Sequence, residues 1–381
     1  MSQAQPALLR FAQPHLDDAA IAAVVAVLRS NWITSGPRVI EFETALSNGF
    51  AGRPTRVVTS ATAAMEIALG LCSLAPADEV ITSAQSFFST MNMIVKAGAR
   101  PVFVDCDLIS RSIDLQRVAA AITPRTKVIM PTHFPGALVD MDALFALAKQ
   151  YGLRVIEDAA LVQGSCWKGR PIGSFGDITT FSFHPNKNMT TIEGGAIVVN
   201  TGIEAKQAEI LRFHGIERLP DDTRDVVVAG GKFNMSDASA AIGLCQLERL
   251  TEFLHKRAGL VARYFECFPH IPGAVLPPSQ LTQQSWNMFC VLLPFDRLDM
   301  SRQQFRAAMH SRGIATGVSY EACHLTTLGR SLGYQDGQFP NAERISRETV
   351  TLPLHVNMES GDVERVCQAV AQILGTRLNG F

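Results

Sequence analysis

The amino-acid sequence predicts an α/β protein, with a mostly parallel seven-stranded sheet in a large domain over residues 1–250 and a smaller α+β domain over residues 251–381. Three observations carry this expectation. Seven short β-rich runs recur between residues 56 and 200. Segments of helical period separate most of them, and such βα alternation feeds a parallel sheet covered on both faces. Beyond residue 200 the pattern changes to helical runs around one isolated apolar strand.

In chain order, an N-terminal helical segment leads into the strands Arg56–Ser60, Glu79–Ser83, Pro101–Asp105, Lys127–Pro131, Arg154–Asp158, Asp177–Ser182 and Gly195–Asn200. Ala63–Leu71 and Met141–Lys149 show the helical spacing between them. The stretch from His184 to Gly194 is too short for a crossover helix, so one of the last two strands runs antiparallel to the rest. Helical patterns over Ser236–Leu254, Ser301–Arg312 and Gly361–Leu374, with a strand at Phe289–Pro294, fill the remainder.

Composition excludes several functions. The 381 residues carry 34 basic and 35 acidic side chains, and a net charge of −1 supplies no field for nucleic acid or an anionic membrane. Hydrophobic residues make up 47% and charged ones 18%, the balance of a compact chain and not of a disordered one. No run approaches the roughly 20 apolar residues of a membrane span. The opening MSQAQPALLRFAQPHLDD lacks a basic start followed by an apolar run, which points to the cytoplasm. Eight cysteines are scattered without a CxxC pair and read as buried reduced thiols. HExxH, GxGxxG and P-loop patterns are absent, and the histidines are too dispersed for a metal site.

Three places carry candidate chemistry. In Phe181-Ser-Phe-His-Pro-Asn-Lys-Asn-Met-Thr-Thr-Ile-Glu-Gly-Gly195 a strand delivers Ser182, breaks at Pro185 and leaves Lys187 on an irregular loop. A partly desolvated lysine there would suit covalent chemistry on a carbonyl; a solvated loop lysine would give the same letters. Asp158 ends the apolar strand before Ala159-Ala160, where a buried carboxylate needs a partner such as a protonated ring nitrogen, or else caps a following helix. Thr59-Ser-Ala-Thr-Ala-Ala-Met65 turns a strand into a helix, giving either a phosphate cradle of free backbone N–H groups or ordinary capping by Ser60 or Thr62.

Together these segments resemble the DegT/DnrJ/StrS family of sugar aminotransferases, which bind pyridoxal 5′-phosphate (PLP) on the fold-type I scaffold. The resemblance runs from Trp32-Ile-Thr-Ser-Gly-Pro37 through Glu157-Asp-Ala-Ala160, the lysine loop and Met235-Ser-Asp-Ala-Ser-Ala-Ala-Ile-Gly243 to Glu348-Thr-Val-Thr-Leu-Pro-Leu354. It implies that Lys187 holds PLP covalently and that Asp158 keeps the pyridine nitrogen protonated. It places Ala61, Thr62, Ala63 and Ser182 at the phosphate, and Phe87 of Ser86-Phe-Phe-Ser-Thr90 against the ring, although a core phenylalanine fits that position too.

The sequence departs from the family pattern at Leu161, where Gln or His usually stands near the ring hydroxyl; Gln163, reaching back, or water would take that contact. Gly231-Lys-Phe-Asn234 replaces a segment that in the family reaches the phosphate of the neighbouring subunit. Lys232 or Asn234 would serve there, or the segment is a surface hairpin. The resemblance further implies a homodimer with shared active sites, and a ping-pong transfer of an amino group from an amino acid, glutamate, to the keto sugar of a nucleotide sugar. The alternatives are transfer to a cyclitol or other non-nucleotide ketone, a PLP dehydratase, in whose relatives histidine replaces the lysine, and a non-enzymatic regulator.

Overall fold

The computed structural model describes residues 7–134, 137–279 and 284–376, so residues 1–6, part of the segment read for the absence of a leader, lie outside the described residues. All seven expected strands form, in one sheet: β1 (Thr55–Val58), β2 (Glu79–Ser83), β3 (Arg100–Val104), β4 (Thr126–Met130), β5 (Arg154–Asp158), β6 (Ile178–Ser182) and β7 (Gly195–Val198). Their spatial order is β1-β7-β6-β5-β4-β2-β3. Strands β2 to β6 run parallel, and β7 pairs antiparallel with both β6 and β1, as the short connection from His184 to Gly194 requires. Strands β2, β6 and β7 are buried at every residue, which is why they read as unbroken apolar or threonine-rich runs.

The register aligns the strand ends that matter. Gly195 at the start of β7 lies opposite Ser182 on one side and Val58 on the other, and Asp158 pairs with Thr180. The ends of β1, β5 and β6 therefore open on one edge, where ligands of parallel sheets bind.

Three helices precede or follow β1: α1 (Asp18–Ser30), α2 (Pro37–Gly49) and α3 (Ala61–Leu71). The buried Asp237 ties two distant motifs together, its carboxylate accepting the amides of Gly36 (2.6 Å) and Arg38 (3.1 Å) at the start of α2. This is an N-terminal cap supplied from far along the chain.

The expected helix over Ser236–Leu254 is two helices, Asp237–Glu248 and Leu250–Cys267. They break at Arg249, whose guanidinium reaches Asp17 (2.8 Å) ahead of α1 as well as Glu252 (2.8 Å). The C-terminal part has its own core, in which Leu260, Tyr264, Phe289, Phe305, Val350 and Val366 pack together. Its sheet is two antiparallel strands, Phe289–Leu292 and Thr349–Leu352; the second was quoted above only within a motif. Three of the eight cysteines, Cys72, Cys166 and Cys245, are part-exposed, so the expectation of buried thiols holds for the other five.

Candidate active site

The open edge of the sheet surrounds a cavity of about 240 Å³. Of the expected residues, Ala61, Thr62, Phe87, Asp158, Ser182 and Lys187 line it; Ala63, Gln163, Lys232 and Asn234 do not.

Asp158 ends β5 and is 3% exposed. No helix follows it, so it is not an N-cap; the chain turns, and Asp158 Oδ1 accepts the Ala160 amide at 3.1 Å. Oδ2 accepts the hydroxyls of Thr90 (3.3 Å) and Thr132 (3.4 Å), both tied to the buried Ser86 hydroxyl. Among the described residues no cation hydrogen-bonds to this carboxylate. Burial raises its pKa, while the Ala160 amide and the nearby charge of Lys187 pull the other way. A buried anion held only by neutral donors is the setting in which an incoming cation is bound strongly.

Lys187 sits on the loop that joins β6 to β7. The loop is fastened by Phe183 N to Gly194 O (2.8 Å), Thr191 N to Phe183 O (2.9 Å) and Lys187 N to His184 O (2.9 Å). Burial lowers the Lys187 pKa from the usual 10.5 to about 8, with Asp158 opposing the shift. This favours a partly desolvated lysine over a fully solvated one.

At the other end of the cavity α3 begins. Ser60 caps it, its hydroxyl accepting the Ala63 amide at 3.1 Å, and the Ser60 carbonyl accepts Ala64 N at 3.0 Å. Ala63 is thereby removed from the expected donor set. The preceding amides, Ala61 and Thr62, belong to residues that line the cavity, and the positive end of the helix dipole points there. Gly195 permits this approach: a Cβ at that position would stand 2.6 Å from Ala61 N. Ser182 lines the cavity as well, and its strand position lies opposite Gly195.

Gln163 does not substitute for a polar residue at Leu161. Its Nε2 is directed to Met189 Sδ (2.8 Å), while Leu161, 3% exposed, lines the cavity with an apolar surface. Lys232 and Asn234 bond to each other on the surface, where Lys232 lies over the Phe213 ring (4.8 Å) and Asn234 Nδ2 donates to Ser35 Oγ (2.5 Å). Sequence reasoning missed Tyr320, Thr132 and Asn186 in the wall. Of the histidines, His184 lines the cavity, whereas His324 is fully buried with Nε2 3.1 Å from Glu343 Oε1.

A cavity lined by a buried carboxylate that no cation hydrogen-bonds, a lysine of lowered pKa, residues at a helix N-terminus and a serine fits PLP, which is cationic at its ring nitrogen and dianionic at its phosphate. Fold and site together define a PLP-dependent enzyme of fold-type I. The chain belongs to the DegT/DnrJ/EryC1/StrS aminotransferase family, whose model matches residues 14–371, and it is a PLP-dependent aminotransferase. Among solved structures it resembles the PLP form of Spr1654 from Streptococcus pneumoniae, described as a sugar aminotransferase (30% identity, 97% of this chain and 99% of that one, TM-score 0.86). It is similar also to Helicobacter pylori PseC, an aminotransferase of pseudoaminic acid biosynthesis (27%, 97% and 99%, TM-score 0.90). A third, 3-amino-5-hydroxybenzoic acid synthase, shares 29% identity over 97% and 99%, with TM-score 0.84. No helix among the described residues is long and apolar enough to cross a membrane.

Proposed function

We propose that this aminotransferase moves an amino group from glutamate to the keto group of a nucleotide-linked sugar, in a homodimer with shared sites in the cytoplasm. The observation that carries the catalytic part is the placement of Lys187 and Asp158 on one cavity with the start of α3 at its far end. The similarity to Spr1654, described as a sugar aminotransferase, supports the acceptor class.

PLP, when bound, supplies the electron sink that makes the amino donor's α-proton removable. Asp158 would keep the ring nitrogen protonated, its own proton affinity lowered again by that cation. Ala61 N, Thr62 N and Ser182 Oγ would hold the phosphate, and Phe87, half exposed, would cover the ring. Lys187 Nζ would accept the donor's α-proton, a task suited to an amine with pKa about 8. Leu161 and Met65 keep the wall apolar and water out.

A second surface supports the dimer. Ile21, Val25 and Leu28 on α1, with Trp32, Ile33 and Ile40, present exposed apolar groups. Asn234 bonds to Ser35 beside them, so Lys232 and Asn234 lie where a partner subunit would meet this face and reach its phosphate. The division into residues 1–250 and 251–381 is supported by the helix that starts at Leu250 and leads into the separate C-terminal core. The test is a panel of nucleotide-linked keto sugars with glutamate, read by bleaching of the yellow protein with glutamate and its recovery with the acceptor. Recovery only with a cyclitol or other free ketone would replace the acceptor class.

A further inference from the structure

A second, smaller cavity of about 120 Å³ adjoins the first, and Asn186 and Tyr320 line both. Its remaining wall brings together Phe11 from the N-terminal segment, Asn287 and Met288 at the start of the Phe289–Leu292 strand, and Ser319 and Thr351. Among the described residues no charged side chain lines it.

Its polar equipment is specific. Asn287 is 4% exposed, and its Nδ2 donates to the Asn186 carbonyl at 2.8 Å. That bond fixes the amide's orientation and leaves Oδ1 as a buried acceptor with no hydrogen-bond partner among the described residues. Thr351 Oγ1 donates to Ser319 Oγ at 2.9 Å, and Ser319 is further hydrogen-bonded to the Cys290 and Tyr320 side chains, so it is satisfied within the protein. The Asn287 backbone is itself immobilised, its carbonyl accepting from the buried Arg257 guanidinium at 3.1 Å. A rigid, buried, unsatisfied acceptor is costly unless a ligand donates to it.

From this geometry we infer that the annex is the acceptor-recognition subsite, in which Asn287 Oδ1 accepts a hydrogen bond from a neutral hydroxyl of the keto substrate while Phe11 and Met288 contact its carbon skeleton. The uncharged lining disfavours a carboxylate or phosphate, so the amino donor's carboxylates and the nucleotide phosphates lie outside it. A site built to bond a hydroxyl rejects analogues that lack one, because its polar groups are then left unpaired. Asn287 thus determines specificity for an acceptor hydroxylated near its ketone. The inference rests on the aminotransferase reading of the main cavity and deepens it.

The test compares the holoenzyme with Asn287→Leu and Ala12→Leu, the first deleting the acceptor atom and the second adding bulk at another residue of the annex wall. Each is assayed separately in the glutamate half-reaction, by loss of yellow colour, and in the acceptor half-reaction, with a hydroxylated keto sugar and its deoxy analogue. The expected result for Asn287→Leu is a rise of about tenfold in KM for the hydroxylated acceptor, the loss set by one neutral hydrogen bond, with a smaller effect on the glutamate half-reaction. Discrimination against the deoxy analogue shrinks correspondingly, and Ala12→Leu weakens both acceptors. Equal losses in the two half-reactions, or unchanged discrimination, overturn the subsite. If the wild-type enzyme uses only a free cyclitol ketone, the nucleotide-sugar reading falls, and the same hydroxy/deoxy comparison on that ketone decides the annex. If it uses no keto acceptor at all, both fall.

Discussion

Replacing Lys187 by methionine should stabilise the PLP-free protein at neutral pH, although it destroys activity. The wild-type ammonium is held in a cavity that lowers its pKa from the usual 10.5 to about 8. At about 1.4 kcal/mol per unit, that shift corresponds to about 3 kcal/mol by which the folded state disfavours the charge. Lys187 is partly exposed, so solvent screening reduces the expected gain to between about 1 and 3 kcal/mol.

The pH dependence distinguishes this origin from better packing by methionine. Below pH 8 the lysine is protonated in both folded and unfolded states, and the full penalty is present. Between pH 8 and 10.5 the unfolded chain binds more protons than the folded one, so wild-type stability rises with pH and the advantage of Lys187→Met shrinks. Urea unfolding of both PLP-free proteins at pH 7 and pH 9.5 measures the difference. A variant less stable than wild type at pH 7, or an advantage that does not change with pH, would refute the reasoning. The same variant should retain no borohydride-reducible link to PLP.

Asp158→Asn should still bind PLP through the phosphate contacts but turn over orders of magnitude more slowly, since an amide cannot hold the ring nitrogen protonated; near wild-type kcat would remove Asp158 from the mechanism. Mixing Lys187→Ala subunits with Lys232→Ala, Asn234→Ala subunits should restore activity, to about a quarter of wild type for random pairing of isologous dimers, because one site of each mixed dimer carries neither lesion. No recovery on mixing, or a monomer in sedimentation, would sink the shared site.

The strands were legible because burial on both faces leaves an unmistakable apolar run, as in Val155-Ile156 of β5 and Ala196-Ile197-Val198 of β7. The missing crossover between β6 and β7 announced the antiparallel strand as well as the loop that carries Lys187. The break at Arg249 was invisible, because Ser236–Leu254 keeps helical composition throughout, and the partner that Arg249 meets there, Asp17, is far away in sequence.

Within the site, legibility tracked whether a residue's role follows from its own neighbours in sequence. Asp158 ends an apolar strand and Ser60 precedes a helix, so both advertised themselves, and Ser60 even claimed the Ala63 amide that had been assigned to the phosphate. Gln163 was assigned by proximity along the chain, yet a turn after Asp158 carries its amide to Met189 instead. Tyr320 and Asn287 come from the C-terminal part of the chain and reach the cavities only because that part packs over the open edge of the sheet. Nothing in their local pattern marks them, since Asn287 sits between Trp286 and Met288 in what reads as a strand entering a core. The groups proposed to bind PLP are thus recognisable from the sheet that displays them, whereas those proposed to choose the acceptor are contributed by folding of the remainder against it.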